Sequence, residues 1–115
     1  MQKLGILCSG GLGLDILSKI SKEFEVEFVL TDSNSFEIIN FVESKNIPFF
    51  AGNPRQGIGY NFIRDINVDI ILSVNYLFLI EDDIISHPNI FTFNIHGSLL
   101  PKYRGRTPHV WAIIN

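Results

Sequence analysis

The sequence predicts a single α/β domain, a Rossmann-like parallel sheet with helices on both faces. Three observations carry that expectation. Short apolar runs alternate with stretches of helical periodicity, in the order βαβαβαβ(α)βα. One run, Ile70-Ile71-Leu72-Ser73-Val74, is the continuous kind that a strand covered on both faces needs. A soluble domain of 115 residues buries roughly 65% of the surface its unfolded chain exposes, so one core is feasible and two are not.

Leu4 to Cys8 reads as the first strand, and Ser9-Gly10-Gly11-Leu12-Gly13 after it is a turn signal. Leu12, Ile16, Ile20 and Phe24, with Leu17 beside them, recur at helical spacing. Val26, Phe28, Val29 and Leu30 form a second strand that ends at Thr31-Asp32. Asn34 with Glu37 resembles a capping box, opening a helix with Ile38, Ile39 and Val42 on one face. Ile47 to Ala51 is a third strand, placed at an edge by Pro48. After a loop with Gly52, Pro54 and Gly57, a third helical stripe uses Ile58, Phe62, Ile63 and Ile66. Ile70 to Val74 follows, then a short helix around Glu81 to Ser86 and a fifth strand from Phe91 to Ile95. Thr107-Pro108 reads as a helix start, with Thr as N-cap and Pro at the first helical position, running through Trp111 to the end. No repeat, low-complexity tract or linker interrupts residues 1–115, which are read as one domain.

Nine Lys and Arg against twelve Asp and Glu give a formal charge of −3, which argues against a nucleic-acid surface. The distribution is uneven. Residues 1–83 hold all twelve acids and six bases, whereas residues 84–115 hold only the bases Lys102, Arg104 and Arg106. That cluster reads either as a solvated loop or as a small anion site. No apolar run approaches the roughly 20 residues of a membrane span. The N-terminus has no signal-peptide pattern, and the lone Cys8 suits a reducing compartment, so the cytoplasm is expected.

Two features look chemical. A Gly-rich loop between a strand and a helix places backbone N–H groups at a positive helix end, where phosphate binds. Gly11, Gly13 and Asp32 match part of the dinucleotide fingerprint, but Ile16 stands at its third glycine. A tight turn alone explains these glycines equally well. The second feature is the stretch Phe93 to Pro108. Asn94 and His96, two apart at a strand's C-terminal end, point to the same face, beyond which ligands of open parallel sheets bind. A histidine beside a carboxamide can move a proton while the amide holds an oxyanion. The bland alternative is a pair that caps the strand end.

This stretch closely resembles the active-site segment of the formyltransferases that use 10-formyltetrahydrofolate. Their signature, Asn-x-His followed by a Ser-Leu-Leu-Pro loop, is matched by Asn94, His96 and Ser98-Leu99-Leu100-Pro101. The continuation Lys102-Tyr103-Arg104-Gly105-Arg106 is similar to the sugar-modifying branch. The resemblance implies that His96 is the general acid/base and that Asn94 bonds the tetrahedral oxyanion. It implies that Phe78-Leu79-Ile80 edges the pterin ring, that Leu77 and Ile85 line the apolar pocket, and that the Ser98–Pro101 loop and Arg106 contact folate. Ser9, Gly10, Gly11, Asn75 and Arg104 would face the acceptor substrate. No metal is implied. The family's third catalytic residue, an Asp that orients the histidine and raises its pKa, lies nearly forty residues beyond the Asn. It has no match before Asn115, so the chain is expected to be the N-terminal part of such a domain, with an unpaired sheet edge. Any homodimer would use the C-terminal region beyond it.

The expected activity is therefore formyl transfer to a primary amine, with a nucleotide-linked amino sugar as acceptor and no membrane or nucleic-acid partner. Gly97, where the glycinamide branch has Pro, and the lack of a basic stripe for tRNA favour the sugar. The methionyl-tRNA reaction, hydrolysis of formyltetrahydrofolate, a noncatalytic folate- or nucleotide-binding module and an NAD-dependent oxidoreductase remain as alternatives.

Overall fold

A computed structural model describes residues 2–95 and the backbone of residues 111–114. Among the described residues ten elements follow one another: β1 (Lys3–Cys8), α1 (Gly10–Glu23), β2 (Glu25–Thr31), α2 (Phe36–Ser44), β3 (Phe49–Ala51), α3 (Ile58–Ile63), β4 (Ile70–Val74), α4 (Asp82–Ile85), β5 (Phe91–Ile95) and β6 (Trp111–Ile114). They build one sheet in the order β3-β2-β1-β4-β5-β6. The first five strands are parallel to one another, and β6 runs antiparallel along β5.

The strand residues alternate between two cores. Leu7, Phe28, Leu30 and Ile71 pack with Ile63 of α3 and with Ile84 and Ile85 of α4. Leu4, Ile6, Cys8, Val29 and Val74 face the other way, against Leu17 of α1 and Ile38 and Val42 of α2. Helices thus cover both faces, which is why the central strands carry apolar residues without a polar side. The short β3 lies at the edge, as Pro48 implies.

Four local expectations are corrected. Residues 111–114 are strand, not helix, because Ala112 to Ile114 pair with the open side of β5 and satisfy its backbone groups. The expected start of that helix, Thr107-Pro108, lies outside the described residues. Among the described residues β6 is then the last strand of the sheet on that side. The Asn34–Glu37 capping box does not form either: Ser35 is the N-cap of α2 and makes no side-chain cap bond. Helix α1 begins at Gly10, within the expected turn, and its buried residues are Gly13 and Leu17. Leu12 and Phe24, at the ends of the expected stripe, are exposed.

Candidate active site at the carboxyl ends of the strands

After β1 the chain winds outward through β2 and β3, then returns to the far side of β1 as β4. Such a reversal of winding opens a crevice beyond the carboxyl ends of the two central strands. Ser9-Gly10 follows β1, Asp32 follows β2, Asn75-Tyr76-Leu77 follows β4, and Asn94 lies one residue before the end of β5. Ser9, Gly10 and Asn75, three of the residues expected to face the acceptor, thus lie together at these strand ends.

A hydrogen-bond network ties these strand ends together. The Ser35 hydroxyl donates to Asp32 Oδ1 at 2.6 Å and accepts the Gly10 N–H at 3.1 Å. The Asn34 N–H donates to Asp32 Oδ2 at 3.1 Å. The Ser9 hydroxyl donates to Asp32 and accepts the Leu77 N–H at 3.1 Å. Asn75 Nδ2 donates to the Ser9 carbonyl at 3.3 Å. Burial pushes the Asp32 carboxyl up, but the Ser35, Ser9 and Asn34 donors outweigh it and hold the group below its ordinary value. Burial, and then the nearby Asp32 charge, pushes the Cys8 thiol up to about 12 and raises the Tyr76 phenol as well.

This geometry weighs against the dinucleotide alternative. In that fingerprint an acid at the end of the second strand serves a ribose. Asp32 is only 6% exposed, and its oxygens serve the loops of its own chain. Close helix–strand packing is achieved at Gly13, where an added Cβ would lie 3.0 Å from Cys8 Cβ. Sequence reasoning missed Ser35 and the inward role of Asp32. The available signal was the Asp-x-x-Ser spacing, a turn pattern in which a carboxylate gathers local donors.

Around the network lie two hollows. One, about 410 Å³, is lined by Ser9, Gly10, Asp32, Ser35, Asn75, Tyr76 and Leu77. The other, about 310 Å³, runs from Gly10 and Gly11 to Asn34 and Phe36, sharing Gly10 and Ser35 with the first. Gly10 has φ +71, a left-handed conformation that suits glycine, and both Gly10 and Gly11 are exposed at the start of α1. The first turn of α1 holds no acidic residue, while the Asp32 carboxylate reaches this helix end through Ser9 and Ser35.

Residues 75–81 link β4 to α4 and divide by burial. Leu77 is 59% exposed and Leu79 41%, Phe78 is half-buried, while Ile80 and Ile85 belong to the core. Asn94 is 1% exposed. It shares its sheet face with Thr92, whose hydroxyl donates to the Ile85 carbonyl at 2.6 Å. The expected site residues His96, Ser98, Leu99, Leu100, Pro101, Arg104 and Arg106 lie outside the described residues. Among the described residues, no three or more His, Cys, Asp or Glu side chains gather as a metal-ligand set. No helix among them is long and apolar enough to cross a membrane.

Residues 12–115 match the formyl transferase family. The bifunctional polymyxin resistance protein ArnA of Wigglesworthia glossinidia brevipalpis is 36% identical over 115 aligned residues, covering 92% of this chain and 17% of that protein. The chain thus spans about a sixth of that relative's length.

Proposed function

The chain belongs to the formyl transferase family, and from that premise we propose that it transfers the formyl group of 10-formyltetrahydrofolate to the primary amine of a nucleotide-linked amino sugar in the cytoplasm. The observation that carries the reading is the position of Asn94. Its carboxamide, only 1% exposed, lies near the carboxyl end of β5, in register with Ser73 of β4 and beside the crevice where ligands of open parallel sheets bind. The motif Asn94-x-His96 and the Ser98–Pro101 loop continue from it.

Asn94 donates an amide N–H to the oxyanion that develops when the amine attacks the formyl carbon. His96 takes the proton from the amine and delivers it to the departing folate nitrogen. The exposed Leu77 and Leu79, with Phe78, fit a flat heteroaromatic ring, whose apolar faces would cover them. Arg106, with the Ser98–Pro101 loop, holds the folate. Ser9, Gly10, Gly11, Asn75 and Arg104 hold the acceptor, with its phosphate toward the N-terminal end of α1. The Lys102–Arg106 segment supports a sugar nucleotide over other acceptors.

His96→Ala in the full-length protein should lower formyl transfer about 10²–10⁴-fold, the usual contribution of a general acid/base, with thermal stability nearly unchanged. A variant that keeps more than about a tenth of the rate removes the role given to His96. Assaying an amino-sugar nucleotide, a methionyl-tRNA and water as competing acceptors decides the substrate: formylation of the tRNA, or release of formate alone, overturns the sugar assignment.

A further inference from the structure

Across the sheet face that carries α3 and α4, Leu7 of β1, Ser73 of β4 and Asn94 of β5 stand in one row, each in register with the next. Partners in register point to the same face, and neighbouring strands lie roughly 4.8 Å apart. Ser73 is fully buried, and its hydroxyl has no hydrogen-bond partner among the described residues. Leu7 offers it nothing polar. Thr92, two residues before Asn94, already gives its hydroxyl to the Ile85 carbonyl. A buried hydroxyl without a partner is rare and destabilising, so serine in this apolar strand needs a reason.

We propose that Ser73 is a positioning residue for Asn94, its hydroxyl donating to the carboxamide oxygen in the substrate complex. The inference rests on the reading of Asn94 as the oxyanion donor. A carboxamide can turn either its oxygen or its NH₂ toward a neighbour. A hydroxyl with no other acceptor in its row gains most by donating, because an orphaned buried donor is less well tolerated than a spare lone pair. Donation requires the Asn94 oxygen to face Ser73, which leaves the NH₂ edge for the reacting oxygen. An apolar side chain at position 73 removes that preference and lets the amide turn over.

The test compares Ser73→Val and Ser73→Thr in the full-length protein, because the two have nearly the same shape and differ in the hydroxyl. Ser73→Val should lower kcat about 10-fold with the KM for 10-formyltetrahydrofolate unchanged, a loss confined to the transition state. Ser73→Thr should recover most of that loss, and melting should show Ser73→Val at least as stable as Ser73→Thr. In an Asn94→Ala background Ser73→Val should have no further effect on kcat, because the two residues act as a unit. Ser73→Ala, which only removes an atom, serves the same comparison if the larger side chains hinder folding. Full kcat in Ser73→Val or Ser73→Ala, or the same fractional loss in both backgrounds, overturns the inference. Full activity of Asn94→Ala overturns the oxyanion reading and this inference with it. Loss in Asn94→Ala beside full activity in both Ser73 variants overturns this inference alone.

Discussion

Ser35 stands at the N-cap of α2, yet its hydroxyl donates to Asp32 Oδ1 at 2.6 Å instead of capping the helix. The same oxygen accepts the Gly10 N–H, so one serine couples the end of β2 to the start of α1. Stability at a helix end has been exchanged for a fixed shape at the crevice between β1 and β4.

Ser35→Ala should therefore destabilise the domain by about 1.5–3 kcal/mol, the range for a hydrogen bond to a charged group. The Asp32 carboxyl sits below its ordinary value in the folded state. Its stabilising contribution is complete above the unfolded value of about 3.9 and disappears as pH falls through the lower folded value. Thermal melts of wild type and Asp32→Asn should differ most between about pH 5 and 7 and converge below about pH 4. A gap that is constant with pH removes the carboxylate from this account.

The two glycines at the start of α1 should respond in opposite directions. Gly10 has φ +71, so Gly10→Ala should cost about 1–2 kcal/mol through the left-handed conformation alone. Nothing lies within 4 Å of an added Cβ at Gly11, where alanine should gain up to about 1 kcal/mol from helix propensity. Denaturant titration of both variants measures the contrast. Equal effects would show that backbone conformation at Gly10 is not what selects glycine.

Cys8 is completely buried, and burial followed by the Asp32 charge pushes its thiol up to about 12. The folded protein should resist an aromatic disulfide reagent at pH 8, with labelling appearing only as urea opens the domain. Because the unfolded thiol ionises near 8.5 and the folded one does not, stability should fall as pH rises above about 8.5. Rapid labelling of the native state sinks this prediction.

Arg106 belongs to an acid-free stretch with Lys102 and Arg104, so no sequence-local carboxylate neutralises it. Calorimetric titration with 10-formyltetrahydrofolate or a stable folate analogue should show weaker binding by Arg106→Ala in the full-length protein. Losing one charge-assisted hydrogen bond corresponds to roughly 10-fold or more in affinity. Equal affinities would take Arg106 out of the folate site.

Much of the frame was legible in residue order. The run Ile70 to Val74 is the strand it was expected to be, because an apolar segment covered on both faces has few other ways to exist in water. Pro48 implied an edge position for β3, and the observed strand lies at the edge and begins after it, at Phe49 instead of Ile47, because proline has no N–H to give a ladder. The end of the chain was misread because Thr107-Pro108 is a local helix signal, whereas pairing of residues 111–114 depends on an open strand far away in sequence. Asn34 and Glu37 failed as a capping box for a local reason: Asp32 gathered the nearby donors first.

Residue pattern alone determined the alternation of strands and helices and the gathering of chemistry at strand ends, which follow from spacing along one chain, while the resemblance carried by Asn94-x-His96 and the loop after it implied the reaction class. Tertiary structure alone decided that Asp32 faces its own loops, that Ile80 and Ile85 are core while Leu77 and Leu79 are exposed, and that Ser73 stands beside Asn94. Most of these relations join segments distant along the chain, although Asp32 also draws on Asn34 and Ser35 close by. Periodicity shows which face a side chain takes, but register between strands decides which side chains meet.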